Sequence, residues 1–115
     1  MNLGANAVAC TVTSSTSDFV MTSAGTLSKL SVRCSTTGVS SSSGVFTVWD
    51  YPSGTAPGGT PTNTGLTITY GTTTANTIMQ DTTHTYTYAA GDAIVVSFTT
   101  QASETLGGCM ASFNY

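Results

Sequence analysis

The sequence predicts an all-β protein, an antiparallel β-sandwich of about eight strands. Threonine and serine account for 25 and 15 of the 115 residues, and β-branched threonine favours strands over helices. Apolar and polar residues alternate in short segments, which turn-forming residues separate at intervals of about 8–12 residues. Because Leu, Glu and Lys are scarce, the composition gives no support to a competing helical fold.

Three strands are predicted in the N-terminal third, over residues 8–12, 19–21 and 29–34. In the first and third of these, every second residue is apolar, as expected for strands with one buried face. The third strand also carries Lys29 and Arg33, which are the only two basic residues of the chain. Both fall on the face of this strand that the alternation directs outward.

The fourth predicted strand, residues 45–51, has apolar bulk on both faces. Phe46 and Val48 fall on one face, whereas Trp49 and Tyr51 fall on the other. We therefore expect Phe46 and Val48 to face the core. The two larger aromatic side chains then lie on the outer side of the sheet.

Loops and further strands complete the chain. A Ser/Gly-rich loop is predicted at 35–44, and a longer Pro/Gly-rich surface connection at 52–65. Alternating apolar residues predict the remaining strands, which are 66–70, 84–88, 94–98 and 109–115, with a short additional one at 78–79.

Charge is scarce in this sequence. Only 6% of the residues are charged, and two basic residues face five acidic ones for a net charge of −3. Two basic residues do not supply the cluster that phosphate neutralisation or an anionic membrane surface requires. Ten aromatic residues, five Tyr, four Phe and one Trp, argue against a disordered chain. Hydroxyl groups must therefore provide most of the polar surface.

The length of 115 residues predicts one domain, 1–115, with residues 1–5 as an N-terminal arm. No apolar run of about 18 residues is present to span a membrane. The first residues carry no positive charge and lead into no long apolar segment, so they do not resemble a signal peptide. We therefore expect synthesis in a cytoplasm without export by the usual route.

Several short stretches resemble the jelly-roll domains of the tumour-necrosis-factor and complement-globular-head type, in the compact form found in bacteriophage virion proteins. The stretches are 24–33, 46–48 with 66–69, and above all 88–96, where an Ala-Gly-Asp turn leads into the penultimate strand. The likeness covers about residues 18–115. It implies a jelly-roll β-sandwich.

The resemblance also implies an assembly and a role. Members form trimers about a threefold axis, with the first and last strands paired in the inner sheet. Their chains end on a strand with an aromatic residue near its tip, a position that Phe113 and Tyr115 supply here. On phage particles such domains decorate the capsid exterior or form the receptor-binding tips of fibres. They perform no chemistry.

The three cysteines are Cys10, Cys34 and Cys109. Their odd number and the absence of a Cys-x-x-Cys spacing argue against a structural zinc site. All three fall on inward positions of predicted strands, so one interpretation is that they are buried as small apolar residues. The other is a disulfide between Cys10 and Cys109, which requires the first and last strands to be neighbours.

No catalytic constellation stands out. His84 is the only histidine, and Asp81 alone is a weak co-ligand for a metal. No Gly-x-Ser-x-Gly elbow is present, and Glu104 is the only glutamate, which leaves no pattern for a triad or a carboxylate pair. The four aspartates lie near predicted turns, where capping explains them. The chain is therefore predicted to be no enzyme and to need no cofactor or metal.

Trp49, Tyr51, Phe113 and Tyr115 are the candidate interface residues. Aromatic side chains on the outer face of a strand contact another subunit or a capsid, lie beneath a loop, or stack on a sugar ring. The leading hypothesis is a homotrimeric capsid decoration (cement) protein that binds a major capsid protein or another virion protein. The alternative is a receptor- or carbohydrate-binding module of a phage fibre or a cell surface. A third hypothesis is a subunit of an extracellular β-sandwich filament.

Overall fold

The computed structural model describes residues 8–10, 17–36, 44–54, 60–70, 75–100 and 108–115, and it confirms the all-β class. No helix in these ranges is long and apolar enough to cross a membrane. The strands, in chain order, are β1 (Val8–Cys10), β2 (Ser17–Val20), β3 (Gly25–Cys34), β4 (Gly44–Tyr51), β5 (Thr62–Tyr70), β6 (Ile78–Tyr88), β7 (Ala93–Thr100) and β8 (Cys109–Asn114).

The strands form two four-stranded antiparallel sheets. The first sheet has the order β1-β8-β3-β6 and the second has the order β2-β7-β4-β5. Only β4 and β5 are consecutive both along the chain and within a sheet, so every other connection passes from one sheet to the other. The first and last strands, β1 and β8, are neighbours, as the resemblance implies.

The core lies between the two sheets and follows the predicted alternation. On β4, Phe46 and Val48 are fully buried whereas Trp49 and Tyr51 are half-buried on the outer face. Burying one large apolar side chain contributes about 1.5–3 kcal/mol, so these inward rows hold the sheets together. The core consists of Met21, Leu27, Leu30, Val32, Cys34, Phe46, Val48, Leu66, Ile68, Tyr70, Tyr88, Ile94, Val96, Cys109, Ala111 and Phe113.

A bulge on β3 corrects the predicted start of this strand. Leu27 and Leu30 are both fully buried, although residues three apart on a regular strand face opposite sides. Between them Lys29 adopts a positive φ of 53°, and the register of β3 on β6 shifts at this point. The bulge allows both Leu27 and Leu30 to face the core. The strand therefore continues back to Gly25 and begins earlier than predicted. Lys29 and Arg33 are exposed, as predicted.

Strand β5 begins inside the connection that was predicted to extend over 52–65. The reason is Thr64, which is buried and donates a hydrogen bond from Oγ1 to the carbonyl of Val48 at 2.8 Å. Gly65 follows with a φ of 83°, a conformation that glycine adopts without steric cost. A buried threonine and a glycine therefore belong to the strand, although both are typical of turns.

Strand β6 is one strand of 11 residues where the sequence predicted two short ones, 78–79 and 84–88. The polar residues between these segments obscured the continuity. Asp81 lies among them and is buried, an inward position that alternation of apolar residues does not indicate. Val12, the end of the predicted first strand, and the 1–5 arm lie outside the described residues.

Candidate functional site

Trp49 and Tyr51 lie two positions apart on the outer face of the second sheet, where the sequence placed them. The Nε1–H group of Trp49 donates a hydrogen bond to Ser97 Oγ at 2.8 Å, and Ser97 lies on the neighbouring strand β7. Ser97 Oγ in turn donates to the carbonyl of Thr47 at 3.4 Å. The indole of this half-buried residue is thus held at a fixed position on the sheet.

Aliphatic residues extend this aromatic pair into what we call the outer patch, defined as Val20, Trp49, Tyr51, Ala93 and Val95. The register aligns Trp49 with Val95, and Tyr51 with Ala93, whose other register partner is Val20. Val20 has 69% of its surface exposed, whereas Val95 has only 5%. The outer patch is therefore an apolar surface that is buried at Val95 and exposed at Val20. Such a surface suits contact with another apolar surface or with a sugar ring.

Phe113 is not available to a partner, which corrects its assignment to the candidate interface. Its exposure is 4%, and its ring meets that of Phe19 edge-on at a centroid distance of 5.8 Å. Alternation on β8 explains the difference, because Cys109, Ala111 and Phe113 share the inward face. The alternation in the sequence already indicated that Phe113 is buried, but the prediction gave more weight to its position near the end of the chain.

Tyr115 occupies a different place from Trp49 and Tyr51. It packs against the core and lines a cavity of ≈ 290 Å³ together with Tyr88 and the segment 19–23. Val20 belongs both to this cavity and to the outer patch. The four aromatic residues of the predicted interface therefore divide among the outer patch, the core and this cavity.

The disulfide joins Cys109 to Cys34, not to Cys10. The premise of the predicted pairing is correct, because β1 is next to β8 and Cys10 is the register partner of Cys109. However, β8 lies between two strands, and Cys34 on β3 is in register with Cys109 as well. The prediction considered one neighbour of the last strand and missed the other. Cys34 and Cys109 are buried, as predicted.

Asp81 and His84 form a hydrogen-bonded pair at the edge where β5 and β6 meet. His84 Nδ1 lies 2.8 Å from Asp81 Oδ2, with the imidazole mostly exposed and the carboxylate buried. Asp81 also accepts hydrogen bonds from the backbone N–H groups of Thr67 and Thr83 at 3.2 and 3.1 Å. Burial would raise the pKa of Asp81, but these hydrogen bonds together lower it far below its ordinary value.

In this arrangement Asp81 has a structural role as a carboxylate anion. The bond from Thr67 ties β5 of the second sheet to β6 of the first, at an edge where no strand pairing joins them. His84 and Asp81 line a shallow cavity of ≈ 280 Å³. Among the described residues no group of three His, Cys, Asp or Glu side chains is placed to hold a metal ion.

A second carboxyl group, Asp50, is buried on the inner face of β4 with 2% exposure. The hydroxyl of Tyr86 donates to Asp50 Oδ2 at 2.7 Å and so connects the two sheets. Asp50 Oδ1 has no hydrogen-bond donor among the described residues. Burial raises the pKa of Asp50, the Tyr86 bond opposes that shift, and the nearby charge of Asp92 adds to it. Burial and the bond to Asp50 raise the pKa of Tyr86 to about 12.

Asp92 has the turn role that the sequence suggested, and Asp81 also accepts local hydrogen bonds, from the backbone N–H groups of Thr83 and His84. The two carboxylate oxygens of Asp92 accept hydrogen bonds from the backbone N–H groups of Ala89 and Ser53, both at 2.7 Å. Gly91 beside it adopts a φ of 92°. Asp50 could have been found from its inward position, two residues after Val48 on an alternating strand.

No arrangement of a nucleophile, a base and an orienting group emerges from these clusters, whereas the outer patch offers a surface suited to binding. Comparison with models of protein families, with curated proteins and with solved structures finds no match to this chain.

Proposed function

We propose that this protein is a non-enzymatic structural protein of a bacteriophage virion, a homotrimeric capsid decoration (cement) protein with a jelly-roll fold. The strand orders β1-β8-β3-β6 and β2-β7-β4-β5 support the fold, because this is the order obtained when two Greek keys are wound into a double-sheet jelly roll. Jelly rolls build viral capsid proteins and lectins, which makes assembly and sugar binding the two roles to separate.

The outer patch is the observation that carries the proposal. Trp and Tyr anchors dominate the energetics of protein interfaces, since they bury a large area at small entropic cost. Trp49 is already oriented by its bond to Ser97, so less conformational freedom is lost on binding. The scarcity of charged side chains also limits the desolvation that contact with a protein shell would require.

A second surface suits contact between the subunits. Met110 on β8 and Ile78 on β6 are exposed by 39% and 59%, and both are register partners of Arg33 on β3. They therefore lie in one row on the outer side of the first sheet, which the resemblance makes the inner sheet of the trimer. This division leaves the outer patch of the second sheet available for contact with the capsid.

The test is binding to capsid shells assembled from the major capsid protein that is encoded in the same genome. We expect the wild-type chain to co-sediment with empty shells and Trp49→Ala to bind about 30-fold or more weakly, the effect of losing an interface anchor worth ~2 kcal/mol. Thr69→Ala is the control, since Thr69 is exposed on β5 of the same sheet and lies outside the outer patch. Equal binding by Trp49→Ala and wild type would contradict the assignment of the outer patch.

The alternative function, recognition of a sugar, is favoured by the same half-exposed aromatic pair. Trp49 is the only tryptophan, so a sugar stacked on it would change the entire tryptophan fluorescence of the protein. A panel of neutral oligosaccharides is titrated against the wild-type chain. Saturable quenching that is lost in Tyr51→Ala would favour the binding module over the cement protein, and no response to the panel would favour the cement protein.

A further inference from the structure

A cavity of ≈ 290 Å³ lies where strand ends of both sheets meet. Residues 19–20 of β2 belong to the second sheet, whereas Tyr88, the last residue of β6, and Tyr115, which follows β8, come from the first. The segment 21–23, which connects β2 to β3, completes the described lining. Backbone hydrogen bonds of Met21 at 2.8 and 2.7 Å hold this segment to the turn before β7. The walls of the cavity are therefore held by both sheets and by an anchored connection.

Tyr88 brings a hydroxyl without a partner to this cavity. The residue has only 4% of its surface exposed, yet its hydroxyl makes no hydrogen bond within the described residues. Its register partner Gly25 leaves room for it, since a β-carbon on Gly25 would lie 2.5 Å from the Tyr88 oxygen. Burial raises the pKa of Tyr88, and the neighbouring Tyr115 adds to the rise, so the phenol stays protonated at neutral pH. Buried polar groups almost always have a partner, so this hydroxyl needs one that occupies the cavity.

The rest of the described lining combines hydroxyl groups with apolar surface. Thr22, Ser23 and Tyr115 each carry a hydroxyl that makes no hydrogen bond within the described residues. Phe19 and Met21 supply apolar surface that is continuous with the core. No charged side chain belongs to the described lining. The cavity therefore suits a ligand that is uncharged, carries several hydroxyls and has an apolar face.

We propose that this cavity is a binding site for a single neutral sugar ring. A pyranose has an apolar C–H face for the aromatic side chains, and its hydroxyls donate and accept hydrogen bonds as those of Tyr, Thr and Ser do. Small-molecule sites have volumes of about 300–1,000 Å³, so a cavity at the low end of this range holds one ring. A charged ligand would lose its hydration without a counter-charge in the described lining, and a purely apolar one would leave the Tyr88 hydroxyl unpartnered.

This site is separate from the outer patch, because neither Trp49 nor Tyr51 lines the cavity. The two surfaces share only Val20 among the described residues. A sugar in the cavity would contact Tyr88 and Tyr115, whereas a sugar on the outer patch would stack on Trp49. Binding in the cavity therefore does not depend on the proposed virion role, and the two proposals are tested separately.

The site is tested by NMR on the wild-type chain with carbon-13 in its tyrosine rings. Glucose, galactose, mannose and N-acetylglucosamine are titrated in turn. A ligand of this size is expected to bind with a Kd of about 1 mM, so each titration extends to about 50 mM. We expect at least one sugar to shift the ring signals of Tyr88 and Tyr115 saturably while those of Tyr51 stay in place. Shifts at Tyr51 alone, or no saturable shift with any sugar of the panel, would overturn the proposal.

Tyr→Phe variants remove one hydroxyl each and keep the ring. Tyr88→Phe and Tyr115→Phe are expected to bind the sugar about 3–10-fold more weakly, the effect of losing one neutral hydrogen bond. Tyr51→Phe is the matched control on the outer patch and should bind as the wild type does. An equal loss in all three variants would count against the cavity. Tyr88→Phe without ligand should unfold at a temperature no lower than wild type, and a lower one would show that its hydroxyl is bonded within the protein.

Choline provides the comparison for ligand class. Aromatic rings also bind quaternary ammonium ions by cation–π interactions, but such an ion gives the hydroxyls of the cavity no hydrogen-bond partner. Choline is titrated against the same labelled protein. We expect it to shift Tyr88 and Tyr115 less than the best sugar does at equal concentration, and tighter binding of choline would overturn the assignment to a sugar.

Discussion

The Tyr86–Asp50 contact shows how one side chain makes a buried carboxyl group tolerable. Asp50 is 2% exposed, and its only donor among the described residues is the Tyr86 hydroxyl at 2.7 Å. Its pKa is raised above the ordinary value of 3.8, mainly by burial. A raised pKa in the folded state means that Asp50 contributes stability below pH 3.8 and that this contribution is lost as the pH rises through the folded pKa.

We predict that Tyr86→Phe destabilises the protein at pH 7 by ~2 kcal/mol. The variant leaves a buried carboxyl group without its donor, and an unsatisfied buried polar group costs about 1–3 kcal/mol. At pH 3, where Asp50 is protonated in the folded state, the loss is expected to be smaller. Urea unfolding of wild type and variant at both pH values measures the two differences.

Asp50→Asn provides the control for this prediction. In the Asp50→Asn background the residue at position 50 carries no charge, so the Tyr86→Phe cost should become smaller and independent of pH. The resulting double-mutant cycle isolates the coupling between the two side chains. A Tyr86→Phe cost that is equal in both backgrounds would indicate that the hydroxyl contributes through packing alone.

At the scale of the strands, Asp81 connects β5 and β6, which are not paired with each other. The two sheets have no strand hydrogen bonds to each other at the β5–β6 edge, and the carboxylate of Asp81 receives the Thr67 N–H group there at 3.2 Å. The lowered pKa of Asp81 means that its contribution to stability is present above pH 3.8, its ordinary value, and is lost as the pH falls toward the folded pKa.

Asp81→Asn is therefore expected to lower the free energy of unfolding by about 2–3 kcal/mol at pH 7, since a buried, multiply hydrogen-bonded carboxylate is replaced by an amide. The difference from wild type should shrink below pH 4. Amide hydrogen exchange at Thr67 should accelerate in the same variant. His84→Ala is the comparison. Because the imidazole is 59% exposed, its loss should cost less than ~1 kcal/mol, and a larger loss would show that the histidine, not the carboxylate, holds this edge.

The strands also show where sequence analysis succeeds and where it fails. Regular alternation identified β4, β7 and β8, because period-2 burial is a local property of the chain. It failed where the backbone departs from that period. Lys29 with its positive φ resets the alternation on β3, and a sequence pattern does not reveal such a reset. Pairing depends on strand order, so the choice of Cys34 over Cys10 for Cys109 required knowing both neighbours of β8.

For the whole molecule, the strand order keeps the two proposed contact surfaces apart. The outer patch lies on the second sheet, whereas Ile78 and Met110 lie on the first. The core between the sheets separates the two outer faces. A subunit could therefore contact its copies with one face and a shell with the other. Substitutions on the two faces should accordingly have independent effects.

The final prediction is the mass in solution. The proposal requires a stable species of three times 11.7 kDa by light scattering at neutral pH, unchanged by reductant, because its contacts are not covalent. A stable interface buries about 800 Å² on each partner, which the accessible surface of 6040 Å² readily supplies. Replacing both Ile78 and Met110 by Ser removes the two large exposed apolar side chains among the described residues of the first sheet and should yield monomers, while Trp49→Ala should remain trimeric. A monomeric wild-type protein would contradict the proposed trimer and favour the alternative function, an isolated binding module. A dimer that is lost on reduction would instead identify Cys10 as a link between chains. A trimer that persists in the Ile78→Ser, Met110→Ser double variant would place the subunit contact elsewhere on the molecule.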